Sequence, residues 1–422
     1  MHSVLADPVK LPCGLVFPNR LSKAAMAEQM ATTNTPNEPL NSAYDQWSRG
    51  GWGSILTGNV QVDVTHLGSP YDPALHGEYK GPADSALVAE WKKYADACQK
   101  HGTPAIVQIC HPGRQSFRPA GRRGIFGQTI APSAVPINIG NSIIERVIAC
   151  LAWAQPREMS TNDIEKAIRS FVDTARLMAD AGFSGVELHG AHGYLMDQFL
   201  NPKTNLRTDD YGGTPTKRAK FILEILRQTR AVVPKNFAIG IKLNSADHSS
   251  STFEDTMMQI SLLVEAGIDF MEISGGTYED PRMMGYPVSQ SQAPKSERTA
   301  AREAFFLEFA HEVRKRHPDL VLMLTGGFRS RAGAEAAVKD GACDLVGIGR
   351  PSAVEPGFAG RLLDEGVKDE EAVLLLEKVP TPWFLGWLPR NLIGAGAEST
   401  YYAGQITRMA KGLATIAPAL EA

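Results

Sequence analysis

The sequence predicts an α/β fold: a (β/α)8 TIM barrel with an excursion over its mouth and a C-terminal extension. Three observations lead there. Short, nearly continuous apolar runs alternate with longer segments of helical periodicity, as parallel strands covered on both faces require. Gln108, His189, Lys242, Ser274, Thr325 and Arg350 fall at or just past the ends of those runs, where a barrel gathers its active-site groups at one mouth. The 422 residues suit eight strand–helix units with insertions. A doubly wound sheet is the alternative fold, weakened because no early strand opens a GxGxxG turn.

The expected strands, in order, are Leu21–Met26, Ser54–Val60, Pro104–Cys110, Gly185–His189, Ala238–Leu243, Phe270–Ser274, Val321–Thr325 and Leu345–Gly349. The clearest helix runs from Thr161 to Ala181. Ser160 with Asp163 reads as a capping box, Ile164, Ile168, Phe171, Val172 and Ala175 recur at helical spacing, and Gly182 stands where a glycine would end it. Lys217–Val233, Thr252–Ala266, Thr299–Arg316 and Ser330–Asp340 read similarly. Residues 1–379 are thus the barrel, interrupted by a Gly-, Pro- and Arg-rich excursion at 117–156. Residues 380–422 are an extension whose aromatic stretch PWFLGWLPRN packs on the barrel or on a second copy, which would make a homodimer.

Composition narrows the function. At 43% hydrophobic residues the chain can bury a large core. A net charge of -3 offers no broad basic field for nucleic acid or an anionic membrane. Five scattered cysteines form no CxxC pair, so neither a disulfide framework nor an iron–sulfur or structural zinc site is signalled. The N-terminal residues lack a signal peptide's apolar core and no run is long enough to span a bilayer, so a cytoplasmic protein is expected.

The chemistry concentrates in Leu188–Gly213, LHGAHGYLMDQFLNPKTNLRTDDYGG. His189, His192 and Tyr194 lie within six residues at a strand end, a donor set able to grip a polar oxygen and deliver a proton. His189 and His192 also have metal-ligand spacing, so a metal-dependent barrel lyase or hydrolase is a competing class. Zinc would want a third protein ligand, and no local carboxylate or cysteine matches, so no metal is expected. Gln108 sits in an apolar strand, either bonded to backbone or offering donor and acceptor to a heteroaromatic edge. Lys242 needs a partner for its charge: either an anion at the mouth or an acid such as Glu187 or Glu272. The glycine-bearing turns Thr325-Gly-Gly-Phe-Arg and Gly347-Ile-Gly-Arg-Pro follow the seventh and eighth strands, the recurrent phosphate site of such barrels, or else are two ordinary turns.

These motifs resemble the old yellow enzyme family of flavin-dependent NAD(P)H oxidoreductases. The likeness runs from about Leu11 to Arg350 and is strongest over HGAHGYLMDQFLNPKTNLRTDDYGG. Phe17-Pro-Asn-Arg-Leu, Gly50-Gly-Trp-Gly, Met159-Ser-Thr-Asn-Asp-Ile, Ala181-Gly-Phe-Ser-Gly-Val-Glu and Gly-Ile-Gly-Arg agree. The resemblance implies non-covalent FMN, NAD(P)H as hydride donor and a small-molecule activated alkene as substrate. It implies that His189 and His192 bind the substrate's activating oxygen, as in the branch with two histidines, and that Tyr194 donates the proton. Cofactor contacts would come from Ala25, Met26, Ala27, Asn59, Gln108, His189, Lys242, Gly326, Gly327, Phe328, Gly349 and Arg350. Ala27 departs from the pattern, standing where relatives carry a threonine or cysteine that tunes the flavin. The four-cysteine segment and extra domains of the larger relatives have no counterpart here. A biosynthetic member acting on one metabolite, and a flavin protein without turnover, are the neighbouring readings.

Overall fold

Eight parallel strands close on themselves in the computed structural model, which describes residues 2–124, 127–140, 143–153, 155–246, 252–274, 307–379 and 390–418. The barrel strands are β1 (Leu21–Lys23), β2 (Ser54–Leu56), β3 (Ala105–Cys110), β4 (Gly185–Gly190), β5 (Ala238–Asn244), β6 (Phe270–Ser274), β7 (Leu322–Thr325) and β8 (Leu345–Ile348). Each pairs with the next, and β8 returns to β1 with Val346 opposite Leu21 and Ile348 opposite Lys23. This is the (β/α)8 barrel that the alternation of runs predicts. The first two strands stop earlier than the apolar runs suggest. Beyond Leu56 the chain turns at Thr57–Gly58, and Val60–Gln61 forms a separate short pairing with β3.

Strand alternation sorts the apolar residues into two cores. Ile106, Ala238, Phe270, Met323 and Leu345 form one cluster with Val9, Leu11 and Phe17. It is the barrel interior, closed at its lower end by the antiparallel hairpin of Val9–Lys10 and Val16–Phe17. Phe17 meets Phe270 edge-on at 6.5 Å. The intervening residues, among them Val107, Val186, Leu188, Ile239, Ile241 and Met271, pack outward on the helices.

The helix Thr161–Asp180 carries the predicted capping box, with Ser160 and Asp163 satisfying each other's backbone N–H groups. Gly182 follows in the left-handed conformation at φ +91°. Helices Pro215–Val232, Phe253–Glu265 and Arg331–Lys339 lie within two residues of their expected ends. The helix expected from Thr299 begins outside the described residues and is seen over 307–316.

The excursion is anchored at the mouth. Arg122 N–H donates to Val64 O, and the Arg207 guanidinium of the β4 loop donates to Pro132 O. Its strand Ile130–Ala131 pairs with Arg157–Glu158. Most of the aromatic stretch at 382–391 lies outside the described residues. The helix Arg390–Ala410 that follows buries Tyr402, Ile406 and Met409 in the main core. No helix among the described residues is long and apolar enough to cross a membrane.

Candidate active site

β4 ends in a reversal that gathers the three predicted donors. His192 takes φ +60° and Gly193 φ +76°, two consecutive left-handed residues that double the chain back over His189. A side chain in that region costs ~1–2 kcal/mol, so the turn needs external support. Asp197 supplies it: its Oδ2 accepts from Gly193 N–H at 2.7 Å and from Asn244 Nδ2 at 2.9 Å. Asn244 Oδ1 in turn accepts from His192 N–H at 3.2 Å. The His189 ring then stands edge-on to His192 at 4.9 Å and to Tyr194 at 4.7 Å. Across the barrel, His192 Nε2 lies 2.9 Å from Ser274 Oγ on β6.

Burial governs the charge of this group. It holds the His189 imidazole well below its usual range, reinforced by the charges of His192 and Lys242. Burial, then Lys242, does the same for His192. Both rings are therefore neutral N–H donors at physiological pH.

One layer below sits a polar tier inside the barrel. Gln108, Glu187, Lys242 and Glu272 follow the inward set of β3 to β6 by the same alternation, and all are buried. Gln108 Nε2 donates to Glu187 Oε2 at 2.5 Å, and Lys242 Nζ lies 2.7 Å from Glu272 Oε1. Of the readings open for Lys242, the structure shows the ion pair with an acid; for Gln108 it shows a side-chain rather than a backbone partner.

The remaining predicted residues converge on the same mouth. Ala25, Met26 and Ala27 follow β1, and the Met26 thioether is the nearest group, at 3.8 Å, to where a Cβ on Gly349 would stand. Gly326 (φ +138°) and Gly327 (φ +82°) close β7 with Phe328 half-buried beyond them. A Cβ on Gly326 would meet nothing within 4 Å among the described residues. Arg350 opens the short helix Arg350–Val354, and its Nη1 lies 2.5 Å from Glu398 Oε2 on the C-terminal helix. The Oδ1 of Asn59 and Oγ1 of Thr325 are buried without a partner among the described residues. Unmet polar atoms, one of them on Thr325 next to the open Gly326, are what a polar, phosphate-bearing group such as FMN would complete.

Sequence reasoning missed several contributors. Gly68 borders Tyr194, with Gln61 and Asp72 on its other side: a Cβ on Gly68 would stand 3.9 Å from the Tyr194 hydroxyl, 3.2 Å from Gln61 Nε2 and 3.3 Å from Asp72 Oδ2. Nothing in the spacing of Val60–Asp72 signals this, because the neighbours come from a different strand unit. Asn244 could have been suspected as a polar residue ending a strand, like Lys242 before it.

The metal-type cluster among the described residues is not His189 and His192 but Asp63, His66 and His111, whose ligand atoms lie within 4.8 Å of one another. Hydrogen bonds occupy it in part. His66 Nδ1 faces Asp63 Oδ2 at 3.0 Å, and His111 Nδ1 accepts from Gly113 N–H at 3.0 Å, while His66 Nε2 is buried without a partner among the described residues. The second bond puts the His111 proton on Nε2.

The model of the NADH:flavin oxidoreductase / NADH oxidase family matches residues 5–370. The NADH-dependent flavin oxidoreductase iccE of Talaromyces variabilis is 42% identical over 412 residues, covering 96% of this chain and 98% of that protein. The NADH-dependent flavin oxidoreductase iliE of Neonectria sp. (strain DH2) is 43% identical over 405 residues, covering 94% of this chain but 52% of that protein. This chain therefore spans about half the length of that relative. Among solved structures, the old yellow enzyme homologue from Zymomonas mobilis superposes with a TM-score of 0.66 at 22% identity, over 89% of this chain and 97% of that one. It shows the shared barrel.

Proposed function

The chain belongs to the NADH:flavin oxidoreductase / NADH oxidase family, FMN-dependent barrel oxidoreductases of the old yellow enzyme type, and we propose that it reduces activated C=C bonds with NAD(P)H. The single observation that carries this reading is the edge-on packing of His192 and Tyr194 on His189 at the barrel mouth. Two neutral donors and a phenol are brought to one place. FMN, when bound, supplies the hydride chemistry.

The protein's own residues do the rest. His189 and His192 donate N–H groups to the carbonyl or nitro oxygen of the substrate. Being neutral, they polarise it without adding charge to the site. Oxygen held between two donors draws electron density from the β-carbon, which lowers the barrier to hydride arrival there. Tyr194 gives its phenolic proton to the α-carbon; an ordinary tyrosine, with pKa near ~10, keeps that proton at neutral pH. Lys242 and Gln108 would orient the ring system from below. Gly326, Gly327, Gly349 and Arg350 would hold the phosphate. Ala25, Met26, Ala27 and Asn59 would line the ring from the first two strands.

An absorption spectrum tests the reading, taken before and after anaerobic NADH and then cyclohexenone. A flavin band that bleaches with the nicotinamide and returns with the enone is expected. A band that bleaches but does not return with any α,β-unsaturated carbonyl or nitro compound would overturn alkene reduction and leave only the oxidase half of the chemistry.

A further inference from the structure

The polar tier beneath the donors holds more acid than its single lysine can balance. Glu187 and Glu272 are both fully buried, at 0% exposure. Lys242 Nζ approaches Glu272 Oε1, and Gln108 Nε2 donates to Glu187 Oε2. After these contacts, Glu187 Oε1 and Glu272 Oε2 accept from no donor among the described residues. Two ionised carboxylates cannot satisfy each other, since both only accept. An uncompensated buried carboxylate costs several kcal/mol.

A proton on one carboxyl removes both problems, supplying the missing donor and leaving one negative charge for one lysine. We propose that Glu187 and Glu272 share one exchangeable proton, and that this proton compensates the charge that cofactor reduction brings beside Lys242. The second half rests on the reading of Lys242 given under Proposed function.

The surroundings favour the shared proton. Burial first, then the charge of Glu272, pushes the Glu187 carboxyl well above the usual range, although Lys242 opposes this. The other charged or titratable groups facing the tier among the described residues are His189 and His192 from the β4 turn and Lys23 from β1, which is buried and feels the charge of Glu28 ahead of that of Lys242, so Glu28 balances it. Both histidines are neutral. Gln108, Ser274 and Thr325 contribute no charge.

Hydride transfer from the nicotinamide delivers two electrons and one proton, leaving added negative charge next to Lys242. That charge strengthens the carboxyl O–H bond of the pair. The reduced protein therefore keeps this proton, or takes one from solvent, up to a higher pH than the oxidised protein does. Between those two pH values, reduction takes up one extra proton.

The midpoint potential of the FMN-loaded protein is measured against pH for wild type, Glu187→Gln and Glu272→Gln. Infrared spectra of the wild type in H2O and D2O are recorded alongside. The wild type is expected to show a pH stretch in which its potential falls more steeply, by about 30 mV per pH unit, the two-electron equivalent of a tenfold change. Each variant lacks that stretch, because its one remaining carboxylate simply balances Lys242. The wild type also shows a protonated-carboxyl C=O band that shifts in D2O and is lost in both variants. Identical slopes in all three FMN-loaded proteins would overturn the redox role. Absence of the carboxyl band would overturn the shared proton itself, whether or not the variants fold. A wild type that binds no FMN would instead sink the site reading, while the band in the cofactor-free protein still decides the proton.

Discussion

His192 Nε2 and Ser274 Oγ meet at 2.9 Å, joining the turn after β4 to the end of β6. The contact holds His192 Nε2 against the serine hydroxyl, which leaves Nδ1 as the ring nitrogen free to meet a substrate oxygen. Ser274→Ala frees the ring to turn. We expect kcat/KM for an enone to fall about tenfold, the equivalent of ~1.4 kcal/mol, while the rate of flavin reduction by NADH stays near wild type. An equal loss in both half-reactions would show that Ser274 acts on the whole site rather than through His192.

Tyr194→Phe separates the two half-reactions more sharply. The ring contact with His189 survives, since it needs only the aromatic face. The proton does not. Loss of a general acid costs about 10²–10⁴-fold, so stopped-flow reoxidation of the reduced flavin by an enone should slow by that range. Reduction by NADH should change less than threefold. Unimpaired reoxidation would remove Tyr194 as the donor.

Lys23 offers a pH-dependent stability test away from the reacting groups. Its ammonium is fully buried, 4.1 Å from the Trp47 ring centre and 5.0 Å from that of Tyr44. Burial lowers its pKa to about 8 from an ordinary 10.5. Between those values the unfolded chain binds a proton the folded chain has released, so the term contributed by Lys23 favours folding increasingly as pH rises from about 8 to 10.5. Lys23→Met lacks this titration. Denaturant melts at pH 7.5 and 10 should therefore show wild type gaining on the variant with pH. A gap that stays constant would place the ammonium in contact with solvent.

Gly240 on β5 is a packing requirement. A Cβ there would stand 2.2 Å from the Phe270 ring, inside the interior cluster. Gly240→Ala forces that ring out of place, and overpacking of this kind costs ~1–3 kcal/mol. The equivalent change at Gly341, which opens onto nothing within 4 Å but takes φ +77°, costs only its backbone strain, ~1–2 kcal/mol. Far-ultraviolet melts of the two variants compare steric with conformational cost. A Gly240→Ala protein as stable as wild type would show that the barrel interior can repack.

Much of the site was legible in the sequence because its chemistry is local. His189, His192 and Tyr194 lie within six positions, so whichever strand carries one brings the others. Thr325 and the glycines after β7 were legible for a related reason: glycines at a strand end leave the backbone free for a ligand to approach. Gly68 was not legible. It borders Tyr194 only because the loop after β2 and the turn after β4 fold over the same mouth, and no local pattern records that adjacency.

What the sequence determined by itself was the periodicity, and through it the eight strands, the capped helix at Ser160 and the cluster after β4. These follow from backbone geometry over a few residues. Only the tertiary structure decided the partners of these polar groups: Lys242 with Glu272, Gln108 with Glu187, and Arg350 with Glu398, which lies 48 positions further along the chain. Inside the barrel each takes the group that the register of closed strands sets opposite it, a register that exists only once the barrel has closed, and Glu398 reaches Arg350 only once the C-terminal helix has docked.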